Sequence, residues 1–175
     1  SLLEHYQNGR YVEAEKLATS ITNEFPKHQF GWKVLGIVLK KSGRVSESLV
    51  ASQRAVQLAP QDANAHYNLA NTFTELGRLA EAEASFKQSI ALKADFAEAH
   101  SNLGNTLQEL GRLKEAQESY MQAIALKPDY AEAHSNFGNT LKKAGKLEEA
   151  KASYRQSIAL APDYAEAHNN LGITL

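Results

Sequence analysis

Along residues 97–113, AEAHSNLGNTLQELGRL, the apolar and small positions keep a helical beat. His100, Leu103, Gly104 and Leu107 stand at i, i+3, i+4 and i+7, one face of an α-helix. Gly111 follows, a residue suited to the left-handed conformation that ends helices. A second stripe, Leu113, Ala116, Tyr120, Ala123 and Ile124, predicts a second helix, and Pro128 closes it. Asp129, with Glu132 three residues on, has the form of a capping box and predicts the start of the next helix.

The same pattern returns every 34 residues. Four full units occupy 29–62, 63–96, 97–130 and 131–164, with a partial unit over 1–28 and a truncated one over 165–175. The third and fourth units agree at 23 of 34 positions, so the period reflects duplication, not merely shared helical composition. Prolines 26, 60, 128 and 162 hold one repeat position, with Ala94 in the remaining unit. Asp95 with Glu98, and Asp163 with Glu166, repeat the capping pattern. Gly36, Ala70, Gly104, Gly138 and Gly172 share one position in the first helix. Ala14, Ala82, Ala116 and Ala150 share one in the second, where Ser48 is the exception. Such small residues belong where two helices touch, and Phe86, Tyr120, Tyr154, Leu69, Leu103 and Phe137 pack around them. One helix pair of this size cannot bury its own core, but stacked neighbours can. The expected fold is all-α, a single solenoid of antiparallel helix pairs over 1–175.

This pattern resembles the tetratricopeptide repeat family. In the first full unit Trp32, Leu35, Gly36, Leu39, Ala55 and Pro60 match its motif, while Ser48 and Ser52 depart from it. Later units carry Ala82, Phe86, Ala116, Tyr120, Ala123, Ala150 and Tyr154, and the large fourth position becomes His66, His100, His134 and His168. The partial first unit, with Ala18 and Ile21 at its late positions, is the most divergent. The resemblance implies a right-handed superhelix whose concave groove binds extended protein segments.

Two asparagines per first helix are the unexplained feature, because asparagine is a poor choice for a helix interior. Asn68, Asn102, Asn136 and Asn170 share one repeat position, and Asn71, Asn105 and Asn139 another, one turn along. At about 100° per residue, they lie opposite the His100–Leu103–Gly104–Leu107 stripe and should point away from the paired helix. The resemblance places that face in the peptide groove. Packed helices are about 8–10 Å apart and an extended chain advances about 3.3–3.6 Å per residue, so one rung would meet roughly every third peptide residue. A carboxamide offers an acceptor and two donors, so the ladder suits a peptide backbone. The flanking groups vary from Glu75 and Glu109 to Lys143 and Lys41. Asparagine before Leu-Gly is also common in such repeats, so near-duplicate units could carry it as plain solvated surface.

The asparagine ladder is similar to the repeat arm of O-linked N-acetylglucosamine transferases, which implies acceptor proteins as partners and a glycosyltransferase domain elsewhere in a longer chain. Another subset of the family grips C-terminal carboxylates with lysine and arginine. Here no basic residue stands at 68, 102, 136 or 170, and Lys33 is the one cation beside that position in the full unit that has Val34 and Ile37 in place of the asparagines. That argues against carboxylate-tail recognition.

Composition narrows the alternatives. The chain has 175 residues, 43% of them hydrophobic, a formal charge of −1 and no cysteine. It lacks the basic stripe of a nucleic-acid binder and the thiols for disulfides. No apolar run reaches a membrane span of roughly 18 residues, no signal-like start is visible, and the default location is the cytoplasm. The histidines one repeat apart should be about 8–10 Å apart, too far to share a metal whose bonds are about 2 Å, so they read as packing residues. No HExxH, phosphate loop or nucleophile elbow occurs, and Ser85, Ser119 and Ser153 have no matching base. No cofactor or metal is expected, and no catalysis within these residues. The rival to a peptide scaffold is a structural self-assembly module. The start at Ser1 and the end in mid-pattern suggest a piece of a longer protein. Leu171 and Leu175 stand where earlier units bury Leu103 and Leu107. They suggest weak head-to-tail self-association through an uncapped last helix.

Overall fold

The computed structural model describes residues 1–174, in two compact units that divide between Lys93 and Ala94. Among the described residues every regular element is an α-helix. The first unit contains α1 (Leu2–Gln7), α2 (Tyr11–Glu24), α3 (Gln29–Lys41), α4 (Val45–Leu58), α5 (Ala63–Glu75) and α6 (Leu79–Leu92). The second contains α7 (Ala97–Glu109), α8 (Leu113–Leu126), α9 (Ala131–Lys143), α10 (Leu147–Leu160) and α11 (Ala165–Thr174).

Within each pair the turn is set by a glycine. Gly43, Gly77, Gly111 and Gly145 adopt φ between 70° and 77°, a conformation that costs other residues. Such short turns fold the two helices antiparallel. Pairs α3–α4 and α5–α6 pack in the first unit, α7–α8 and α9–α10 in the second. Successive pairs also touch, α4 against α5 and α8 against α9, as a stacked solenoid requires. The core of the first unit gathers Ala14, Ala18, Val34, Leu35, Val38 and Leu39. In the second unit Leu141, Ala150 and Tyr154 form a core cluster, and Phe137 and Leu171 pack on it.

Three expectations change. The first is the capping box. Residues Phe96 and Tyr130, not Asp95 and Asp129, occupy the N-cap positions of α7 and α9, and neither cap carries a side-chain hydrogen bond. The aspartate stands one residue too early. At α5 it stands one residue later, and Asp62 there does accept from the backbone N–H groups of Asn64 and Ala65. The second is the histidine position. Each ring Nε2 lies on a carbonyl six residues upstream: His66 on Pro60 at 3.0 Å, His100 on Ala94 at 3.1 Å, His134 on Pro128 at 3.0 Å and His168 on Pro162 at 2.8 Å. A carbonyl only accepts, so Nε2 carries the proton. Trp32 Nε1 donates to Pro26 in the same way at 3.0 Å. The large fourth residue therefore ties the first helix to the turn before it, beyond filling space. The third is Leu171, which is half-buried against the α9–α10 core, whereas Ile173 is exposed. Leu175 lies outside the described residues.

Polar side chains close some of the helix ends. Ser89 and Ser157, where the family motif has alanine, donate to the carbonyls of Ala63 and Ala131 at 2.8 Å each. Arg44, Arg78 and Arg112 each pair with a glutamate three residues on. These pairs are exposed and contribute little.

Candidate functional site

In the second unit the asparagines lie on α7, α9 and α11. The first of each pair, Asn102, Asn136 or Asn170, is half-buried, and its backbone carbonyl accepts from a threonine hydroxyl four residues on. The distances are 2.9 Å for Thr106, 3.0 Å for Thr140 and 2.6 Å for Thr174. Those threonines are buried. This back-bonding satisfies their hydroxyls, and since residues four apart share one side of a helix, each half-buried asparagine flanks its buried threonine.

The second asparagine behaves differently from the expectation. Asn105 and Asn139 do not simply point away from the paired helix. Tyr120 Oη donates to Asn105 Oδ1 at 2.6 Å, and Tyr154 Oη to Asn139 Oδ1 at 2.8 Å. The cause is Gly104 and Gly138. A Cβ at Gly104 would lie 2.8 Å from Tyr120 Cε1 and Cζ, and one at Gly138 would lie 2.6 Å from Tyr154 Cε1. Without those Cβ atoms each ring runs across the first helix and its hydroxyl emerges on the asparagine side. The carboxamide oxygen is thereby held inward and the NH₂ group is turned the other way. Asn139 Oδ1 also accepts from Asn170 Nδ2 at 3.0 Å. A hydrogen-bond chain thus runs from α10 through α9 to α11, and Glu166 adds a contact to Asn139 Nδ2 at 3.5 Å.

Asn105→Ala would remove one partner of the buried Tyr120 hydroxyl and leave it the Thr140 side chain. It is expected to lower stability by about 0.5–1.5 kcal/mol, the net contribution of one hydrogen bond. Asn136→Ala should stay within about 0.5 kcal/mol, as for an ordinary surface change. Urea unfolding of the two variants checks this, and equal midpoints would contradict the assignment.

Burial raises the Tyr120 phenol well above its ordinary value, and nearby Glu132 and Glu109 add to the effect. Burial likewise raises Tyr154. Both hydroxyls therefore remain donors at neutral pH. The folded chain keeps the Tyr120 proton above about pH 10, where an unfolded phenol loses it, so stability must fall as pH rises beyond that point. The expected slope is about 1.4 kcal/mol per pH unit for this tyrosine. Tyr120→Phe should flatten the alkaline limb of a stability–pH curve, and an unchanged limb would contradict it.

In the first unit Asn68 and Asn71 lie on α5, half-buried, with Ala70 and Phe86 where the second unit has glycine and tyrosine. Phe86 has no hydroxyl to offer, and its ring packs on Tyr67 at 5.9 Å. On α3, Lys33 is paired with Asp62 at 2.8 Å, and Gln29 donates to the same carboxylate at 2.7 Å. Burial works to raise the Asp62 carboxyl, but Lys33 and Gln29 together hold it below the usual range. The charge of Lys33 is thus matched within the unit.

Reading the asparagines as one face missed Tyr120 and Tyr154. A signal was present: glycine stands with tyrosine in two repeats and alanine with phenylalanine in another. No cluster of three potential metal ligands occurs among the described residues. No helix there is long and apolar enough to cross a membrane.

Comparison with known proteins follows the repeat. The family model for the TPR repeat matches residues 36–77, 70–111, 104–145 and 138–175. No curated protein matches the sequence. Among solved structures, MamA has a similar fold, at 20% identity and TM-score 0.83, covering 93% of this chain and 95% of that one. TTC0263, a thermophilic TPR protein of Thermus thermophilus, is 23% identical with TM-score 0.79, over 99% of this chain and 94% of that one. YrrB, described as a TPR protein with an unusual peptide-binding site, is 23% identical with TM-score 0.76, over 92% of this chain and 83% of that one. These likenesses concern the fold.

Proposed function

Because the chain belongs to the TPR-repeat family, whose repeats serve as non-catalytic scaffolds for protein interactions, we propose that it holds extended segments of partner proteins on the asparagine faces of its first helices. The observation that carries this reading is the Tyr154–Asn139–Asn170 chain. Asn139 and Asn170, asparagines of successive repeats, thereby stand side by side with their carboxamides fixed in orientation. Carboxamides held in one orientation bind with less ordering cost than free ones. A protein of the same fold, YrrB, has a peptide-binding site, which supports the class of ligand. The asparagine spacing favours the arm of an O-linked N-acetylglucosamine transferase-like protein as the larger context, with acceptor segments as cargo and the cytoplasm as the location.

The reading is tested by titrating the isotope-labelled chain with a position-scanning library of unstructured peptides. The side-chain NH₂ resonances of the asparagines should shift on binding. Unmoved resonances, together with a mass that grows with protein concentration, would favour the self-assembly alternative.

A further inference from the structure

Lys127 and Ala161 hold one repeat position, and each is followed by Pro-Asp-Tyr. Glu98 and Glu132 hold another, near the start of α7 and α9. In the repeat 97–130 these residues meet. Lys127 Nζ lies 3.5 Å from Glu98 Oε1 and 4.8 Å from the centre of the Tyr130 ring, over its face. A carboxylate and an aromatic face both attract an ammonium group. The repeat 131–164 keeps the carboxylate as Glu132 and the ring as Tyr164, but Ala161 brings no ammonium. A cavity of about 440 Å³ stands there, lined by Ala131, Glu132, Ala161, Pro162, Asp163 and Tyr164.

The lining contains two carboxylates and no cation. Ala161, Pro162 and the Tyr164 ring offer apolar surface for the methylene stem of a lysine. The Tyr164 hydroxyl donates to Glu166 Oε2 at 3.3 Å, which holds the ring in place. In the other full repeats the two positions change together: Phe30 stands with Ala59, Asn64 with Lys93 and Glu98 with Lys127. Glu132 with Ala161 is the pairing that leaves a carboxylate without its lysine. Stacking of further helices does not close this position. Lys127 and Glu98 are 45% and 42% exposed with α9 and α10 packed behind them.

We propose that the cavity at Ala161 receives a lysine side chain of a partner segment bound along Asn136. The inference rests on the peptide-binding reading above and adds a side-chain preference to it. Glu132 and Asn136 are four residues apart, so they share one side of α9, about 6 Å apart along its axis. A backbone held at Asn136 thus runs past the cavity. The incoming ammonium takes the place between Glu132 and Tyr164 that Lys127 takes between Glu98 and Tyr130.

The test uses the full chain and peptides from the position-scanning library that differ only by lysine or norleucine at one position. Norleucine keeps the stem and lacks the ammonium. Lysine should be preferred roughly three- to ten-fold at the best position, as for one exposed ion pair with one cation–π contact, and salt should weaken the preference. Glu132→Gln removes the carboxylate, and Ala161→Lys supplies the chain's own ammonium. Each should bring the ratio close to one while the norleucine peptide binds as before. Melting curves establish that both variants are folded, and Ala161→Lys restores a residue that the preceding repeat already carries. Equal affinity for lysine and norleucine at every position would overturn the subsite and leave the backbone ladder standing. A lysine preference that survives either change would also overturn it, by placing the ammonium elsewhere. If no peptide binds at all, the proposed function fails and the subsite with it.

Discussion

Gly104→Ala, one added methyl group, is expected to destabilise the chain by about 1–3 kcal/mol, the range for overpacking a filled core. The methyl would stand 2.8 Å from two atoms of the Tyr120 ring, and that ring is completely buried. The ring cannot slide aside, because Asn105 holds its hydroxyl at 2.6 Å. Releasing that tether should restore part of the loss. Tyr120→Phe combined with Gly104→Ala reproduces the Ala70–Phe86 pairing that the second full repeat already uses. The double variant should be more stable than the sum of the single changes, a coupling expected between groups in contact. Gly172 provides the control. It holds the same repeat position, but a Cβ there meets nothing within 4 Å, so Gly172→Ala should be neutral or gain up to about 1 kcal/mol of helix propensity. Urea unfolding of the four variants checks the cycle, and equal midpoints for Gly104→Ala and Gly172→Ala would contradict the packing described.

Repeat period, helix pairs and turn glycines were legible in the sequence because each rests on local physics repeated at one spacing. Gly111 and its equivalents end helices wherever they occur, and the i, i+3, i+4, i+7 stripe needs no knowledge of a partner. What escaped depended on how far a side chain reaches. Angular position on α7 puts Asn105 opposite the core stripe, yet the Tyr120 hydroxyl arrives there by crossing over a glycine. The cap at Tyr130 escaped for a smaller reason: Asp129 and Glu132 have the right separation but begin one residue too early for the helix that forms. Histidine at the fourth position was legible as bulk and not as a donor: the proline six residues upstream marks a turn, but any residue there offers the same backbone carbonyl.

The central claim is that the outer asparagines bind a peptide backbone, and the most direct measurement of it is the affinity of a library-selected peptide for Asn68→Ala, Asn102→Ala and Asn136→Ala combined. These three are chosen because Asn105 and Asn139 also anchor buried tyrosines, and removing them would disturb the fold. Each neutral hydrogen bond contributes about 0.5–1.5 kcal/mol, and about 1.4 kcal/mol is ten-fold in affinity. Fluorescence anisotropy should therefore show binding weakened about ten-fold or more, with helical content and melting temperature close to those of the parent chain. A folded triple variant that binds the peptide as tightly as the parent would contradict the account.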